Sequence, residues 1–131
     1  MSEPEVPGWN RYRDWHQQLD LATSAPTTEA LAVLSASLAA SRFTIKDATA
    51  SGFVAKYVDW LAVLAQRLDW TTLRVQAEPR PGGALATVAV VAGGEHRSGQ
   101  RRAAQGLSAA ARELAHRGHA VQVGDWRSTP R

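Results

Sequence analysis

Apolar and polar positions along the chain first divide it into segments of helical and of alternating period. Trp9, Tyr12 and His16 stand near helical spacing, which predicts a short helix over residues 10–19, with Trp15 among its aromatics. Those rings either cap a core or form a partner surface. Thr23, Ser24, Ala25 and Pro26 interrupt the pattern. Thr27 or Thr28 then caps a helix running to about residue 40, with Glu29 in its first turn and Leu31, Leu34 and Leu38 along one stripe.

Residues 42–46 alternate so that Phe43 and Ile45 share one side of a short strand, or belong to an irregular connector. Ser51 is placed to cap a long helix over residues 53–68, in which Phe53, Tyr57, Leu61, Leu64 and Leu68 make an apolar face. Trp60 and Trp70 fall at the boundary between that face and water. Residues 71–77 read as a strand with Leu73, Val75 and Ala77 on one side and Thr72, Arg74 and Gln76 on the other. A Pro- and Gly-containing turn over residues 78–83 leads to a partner strand over 84–91. A helix over 98–117 directs Leu107, Ala111 and Leu114 toward a sheet; Gly106 within it permits a close approach or is merely tolerated. Gly118 ends it before a short strand over 119–123.

The elements predict an α+β two-layer sandwich, and the segment order admits a ferredoxin-like β-α-β-β-α-β arrangement after two N-terminal helices. If Phe43 and Ile45 are not in a strand, a three-stranded sheet remains. Residues 1–26 read as an arm with a short helix, 27–124 as one α+β domain, and 125–131 as a flexible tail. A length of 131 residues with 44% hydrophobic positions suffices for one core.

Charge changes this picture by its placement. The net charge is +3, but six basic and eight acidic residues precede Trp70 while nine basic and four acidic residues follow it. The excess of Arg over Lys reads as a bacterial, high-GC composition, which discounts Arg counts alone. With no cysteine, disulfides, thiolate metal sites and a Cys nucleophile are excluded. The first ten residues lack the pattern of a secretory leader and no stretch has the length of a membrane span, so a cytoplasmic protein with no membrane partner is the expectation.

Residues 93–102 form a glycine loop entering a helix, and Arg97 with Arg101 or Arg102 is suited to a phosphate or carboxylate. The spacing is not that of a nucleotide-binding P-loop. Arg97, Arg101, Gln105, Ser108, Arg112 and His116 continue as a polar stripe, either a track for a nucleic-acid backbone or an ordinary solvated face. No aromatic pair on the strand face is available to stack bases. No carboxylate pair has the spacing for acid–base catalysis, and His96 stands about 30 Å along the helix from His116 and His119, which argues against a shared metal. Ser98 beside His96 lacks the orienting group and oxyanion donors of a nucleophile. No catalytic residue, metal or cofactor is assigned.

Five Trp residues in a short chain favour a noncatalytic protein-interaction or accessory module, including a self-associating one, with Trp9, Tyr12, Trp15, Trp60 and Trp70 as interface candidates. A nucleic-acid or anion binder using Arg97, Arg101, Arg102, Arg112 and His116 is the alternative. An enzyme acting on a small anionic substrate near residues 93–102 is the third reading.

Overall fold

The computed structural model describes residues 3–12, 16–66 and 70–128. The fold is mixed α+β, a seven-stranded antiparallel sheet with its long helices packed together. The elements are β1 (Gln17–Thr23), α1 (Thr27–Ala40), β2 (Thr44–Lys46), β3 (Gly52–Val58), α2 (Trp60–Leu64), β4 (Trp70–Arg80), β5 (Gly83–Ala92), α3 (Arg97–His116), β6 (Val121–Val123) and β7 (Arg127–Ser128). The strand path is β2-β3-β4-β5-β1-β6, with β7 also paired to β1.

Three segments differ from the expectation. The helix expected over 10–19 is not formed among the described residues; its end belongs to β1, in which Gln17, Leu19, Leu21 and Thr23 alternate inward between β5 and β6. Trp15 and Leu68 lie outside the described residues. The helix expected over 53–68 is a strand for its first half. Phe53 and Tyr57 share a side in either structure, because positions i and i+4 face alike at a period of 2 and nearly alike at 3.6. Ala55 falls between them on the buried side, while Val54 and Lys56 face outward, so the alternating reading prevails. With β1 and β3 as strands, β-α-β-β-α-β does not describe the described element order; β2 through β5 form an antiparallel meander. Third, β7 pairs with β1 and Trp126 packs on the core, so structure extends into the segment expected as tail.

The 27–40 helix and the hairpin of β4 and β5 match the periodic pattern, and a short strand with Ile45 at its centre forms over Thr44–Lys46, with Phe43 just before it and buried. Leu31, Leu34 and Leu38 from α1 and Leu107, Ala111 and Leu114 from α3 meet Leu19, Leu21, Leu73, Val75 and Val88 in one core. Gly106 faces α1 rather than the sheet, since a Cβ there would stand 2.9 Å from Leu38 Cδ2 and 3.1 Å from Ser41 Oγ.

The N-terminal segment runs across α3. The Val6 N–H donates to Ser108 Oγ at 2.8 Å, the Gln100 amide donates to the Trp9 carbonyl, and His116 Nε2 lies 3.0 Å from Glu3 Oε1. Trp9 is 1% exposed, donates its indole N–H to the Gly94 carbonyl at 2.6 Å, and stands edge-on to Trp126 at 5.2 Å between centroids. The Trp126 indole N–H in turn donates to the Pro7 carbonyl at 2.6 Å.

Candidate docking surface

At one end of the sheet, β3 turns into α2 when Asp59 Oδ1 accepts the Ala62 N–H at 3.2 Å, a side-chain cap on a five-residue helix. Only Ala62 of α2 is buried. Trp60, Leu61 and Leu64 are 69%, 81% and 80% exposed, and they account for three of the four large hydrophobic side chains exposed among the described residues. The fourth, Tyr12, sits beneath the Arg11 guanidinium, 4.9 Å from the ring centroid.

Trp60 and Leu61 also form one wall of a cleft of about 820 Å³. Its other walls come from Arg42 in the connection after α1, from β2 and β3, and from the first turns of α3. Arg42 stands just beyond α1, where the Arg42 N–H donates to Ala39 O and the Phe43 N–H to Leu38 O, the paired bonds of a Schellman ending. That ending places Arg42 at φ 75°, a left-handed conformation glycine ordinarily supplies. Thr44 and Lys56 are directly opposed in the β2–β3 ladder, and Lys46 lies two residues further along the edge. Arg101 and Arg102 reach the same cleft from α3. The position of α3 is fixed at Gly99, where an added Cβ would collide with the buried Thr71 hydroxyl, itself bonded to the Gly93 carbonyl at 3.0 Å.

The cleft therefore gathers Arg42, Lys46, Lys56, Arg101 and Arg102 against one carboxylate, Asp59. None of these five cations is ion-paired with a described carboxylate; the described Arg–carboxylate pairs use Arg80, Arg117 and Arg127. Arg102 Nε is shut off from solvent without a hydrogen-bond partner. Arg101 and Arg102 lie in the second turn of α3, whose first turn has no acidic residue. The cleft thus carries an excess of positive charge among its described lining residues.

The candidates from the sequence scatter over several environments. Arg101 and Arg102 enter the cationic cleft, whereas Arg97 and Arg112, together with Arg101, line a second cleft of about 420 Å³ beside Glu5, Val6 and Gly8. His116 is engaged by Glu3 and Ser108 by Val6, so the N-terminal segment occupies much of the polar stripe. Among the interface candidates, Trp9 is core, Trp70 is half-buried with its ring 6.4 Å from that of His96, Tyr12 and Trp60 are exposed, and Trp15 is outside the described residues. Arg42, Lys46 and Lys56 escaped the sequence reading because they stand far from Arg101 in the chain. The strand alternation at 42–46 was the available signal for part of that set.

A separate ionic group ties the end of α3 to α1. Arg117 lies 3.1 Å from Glu29 and 2.9 Å from Glu113, and His119 lies 2.9 Å from Glu29. The hydrogen bond from Arg117, then that from His119, holds the Glu29 carboxyl below its ordinary range despite partial desolvation. The bonds to Glu113 and Glu29 raise the Arg117 guanidinium.

Among the described residues no group of three His, Asp or Glu side chains is placed to hold a metal ion, and no helix is long and apolar enough to cross a membrane. Comparisons with protein families, with curated proteins and with solved structures return no match to this chain.

Proposed function

We propose that this protein is a noncatalytic interaction or accessory module that docks through α2 and the adjacent cationic cleft. The observation that carries this reading is the projection of Trp60, Leu61 and Leu64 into solvent although the core is already filled by other residues. Clustered exposed apolar side chains of this kind commonly mark contact surfaces. Self-association with α2 packed on itself is disfavoured, because it would bring two sets of five cations together. Anion binding, the alternative, draws support from Arg101 and Arg102 in the cleft and much less from Arg112 and His116, which lie along the N-terminal segment.

Site-specific photo-crosslinking tests the docking surface. A benzophenone amino acid placed at position 61 or 64, in the cells that make the protein, is expected to yield adducts that disappear when Lys46 and Lys56 are both replaced by Glu. The same probe at Pro81, on the turn at the far end of β4, is expected to yield none. Equal adduct yields from all three positions would overturn the reading.

A further inference from the structure

We infer that the α2 surface docks on an anionic lipid bilayer, with Trp60, Leu61 and Leu64 entering the boundary between headgroups and acyl chains while the cations of the adjoining cleft meet lipid phosphates. The inference deepens the docking reading and rests on it for the location of the surface. Shape supports it first. The three side chains project outward from a five-residue helix at 69–81% exposure, a form suited to insertion into a fluid phase. An indole at such a boundary keeps its apolar body in the membrane and its N–H in the polar layer.

Charge supports it independently. Arg42, Lys46, Lys56, Arg101 and Arg102 face a single carboxylate in a cleft that shares Trp60 and Leu61 as a wall, so apolar and cationic groups reach the same surface together. A planar anionic layer satisfies both, because phosphates lie immediately outside the apolar phase.

Other occupants satisfy fewer of these features. Three side chains offer on the order of 400 Å², about half of one partner's share of a standard protein–protein interface. Nucleic acid would use the cations but leaves Leu61 and Leu64 exposed, since bases stack on aromatic rings rather than aliphatic side chains. A second copy places like charges against each other. No described helix is long and apolar enough to span a bilayer; the expectation of no membrane partner rested on that lack of a spanning segment and does not bear on attachment through a surface such as α2.

Co-sedimentation with extruded vesicles tests the inference on the full chain. Binding is expected to vesicles of phosphatidylcholine mixed with phosphatidylglycerol, to weaken as salt is raised, and to be at least about ten-fold weaker with phosphatidylcholine alone. Leu61→Ser with Leu64→Ser is expected to reduce affinity by about ten-fold or more. Removing Lys46 or Lys56 is expected to cost about five-fold each. All four positions are at least partly exposed, and matched circular dichroism and melting curves control for folding. No sedimentation, equal binding to neutral and anionic vesicles, or full affinity in the leucine variants would overturn the lipid assignment. If vesicles fail while probes at 61 and 64 crosslink specifically to protein, the lipid inference falls and the docking reading stands; if both fail, both fall.

Discussion

Arg42 carries a conflict between stability and charge placement. Its φ of 75° ends α1, where glycine would be free of the left-handed penalty, yet the position supplies a guanidinium to the cationic cleft. Arg42→Gly is expected to stabilise the fold by about 0.5–1 kcal/mol, because relief of strain exceeds the added freedom of the unfolded chain. The same variant is expected to bind anionic vesicles about five-fold less tightly. Denaturant melts and vesicle titrations check the two effects together; a destabilised variant with unchanged binding would remove Arg42 from the account. At Glu29 the expected dependence is on pH. Its carboxyl is lowered in the folded state chiefly by Arg117, so its stabilising contribution is present above the carboxyl's unfolded pKa and disappears as pH falls through the depressed folded value. The difference in melting temperature between the natural chain and Glu29→Gln should therefore be present above the ordinary carboxylate range and shrink on acidification through and below it. A difference that kept growing on acidification below the carboxylate range would contradict this assignment.

At the scale of elements, periodicity located the parts whose two possible periods disagree and misplaced those whose periods coincide. Leu31, Leu34 and Leu38 fit only a helix, and Leu73, Val75 and Ala77 fit only a strand; both elements are present as read. Phe53 and Tyr57 fit both, and extending their pattern through Leu61 and Leu64 placed the two leucines in a core that they do not enter. The exposed surface of α2 was thus hidden by an apolar run that reads as core until the strand boundary at Val58 is known. In the N-terminal segment, spacing of Trp9 and Tyr12 masked the alternation of Gln17, Leu19 and Leu21. Trp9 nevertheless joins the core, and Trp9→Ala should cost about 3–5 kcal/mol and expose α3 amides to hydrogen exchange. A loss of under about 1 kcal/mol would mean that the segment does not depend on this anchor. Gly99 has a different restriction, since its lack of a side chain lets α3 approach Thr71. Gly99→Ala should cost about 1–3 kcal/mol by displacing the helix start, measurable in the same melts.

For the whole molecule, the division of charge along the sequence does not become a division of surface. Arg42, Lys46 and Lys56 come from the acidic first half and Arg101 and Arg102 from the basic second half, and the fold brings them into one cleft. The residues in α3 were therefore legible as anion candidates, while their partners required the β2–β3 edge to be known. Without lipid, repulsion between these clefts predicts a monomer in light scattering across protein concentration; a concentration-dependent dimer lost in Leu61→Ser would contradict that. The absence of cysteine also permits one labelling site to be introduced at a time. A polarity-sensitive fluorophore attached to Leu64→Cys should shift to a water-excluded environment when vesicles containing phosphatidylglycerol are added. The same label on Pro81→Cys, roughly 35 Å away along β4, should remain in water. An unchanged label at position 64, or the same shift at both positions, would contradict the claim that α2 is the docking surface.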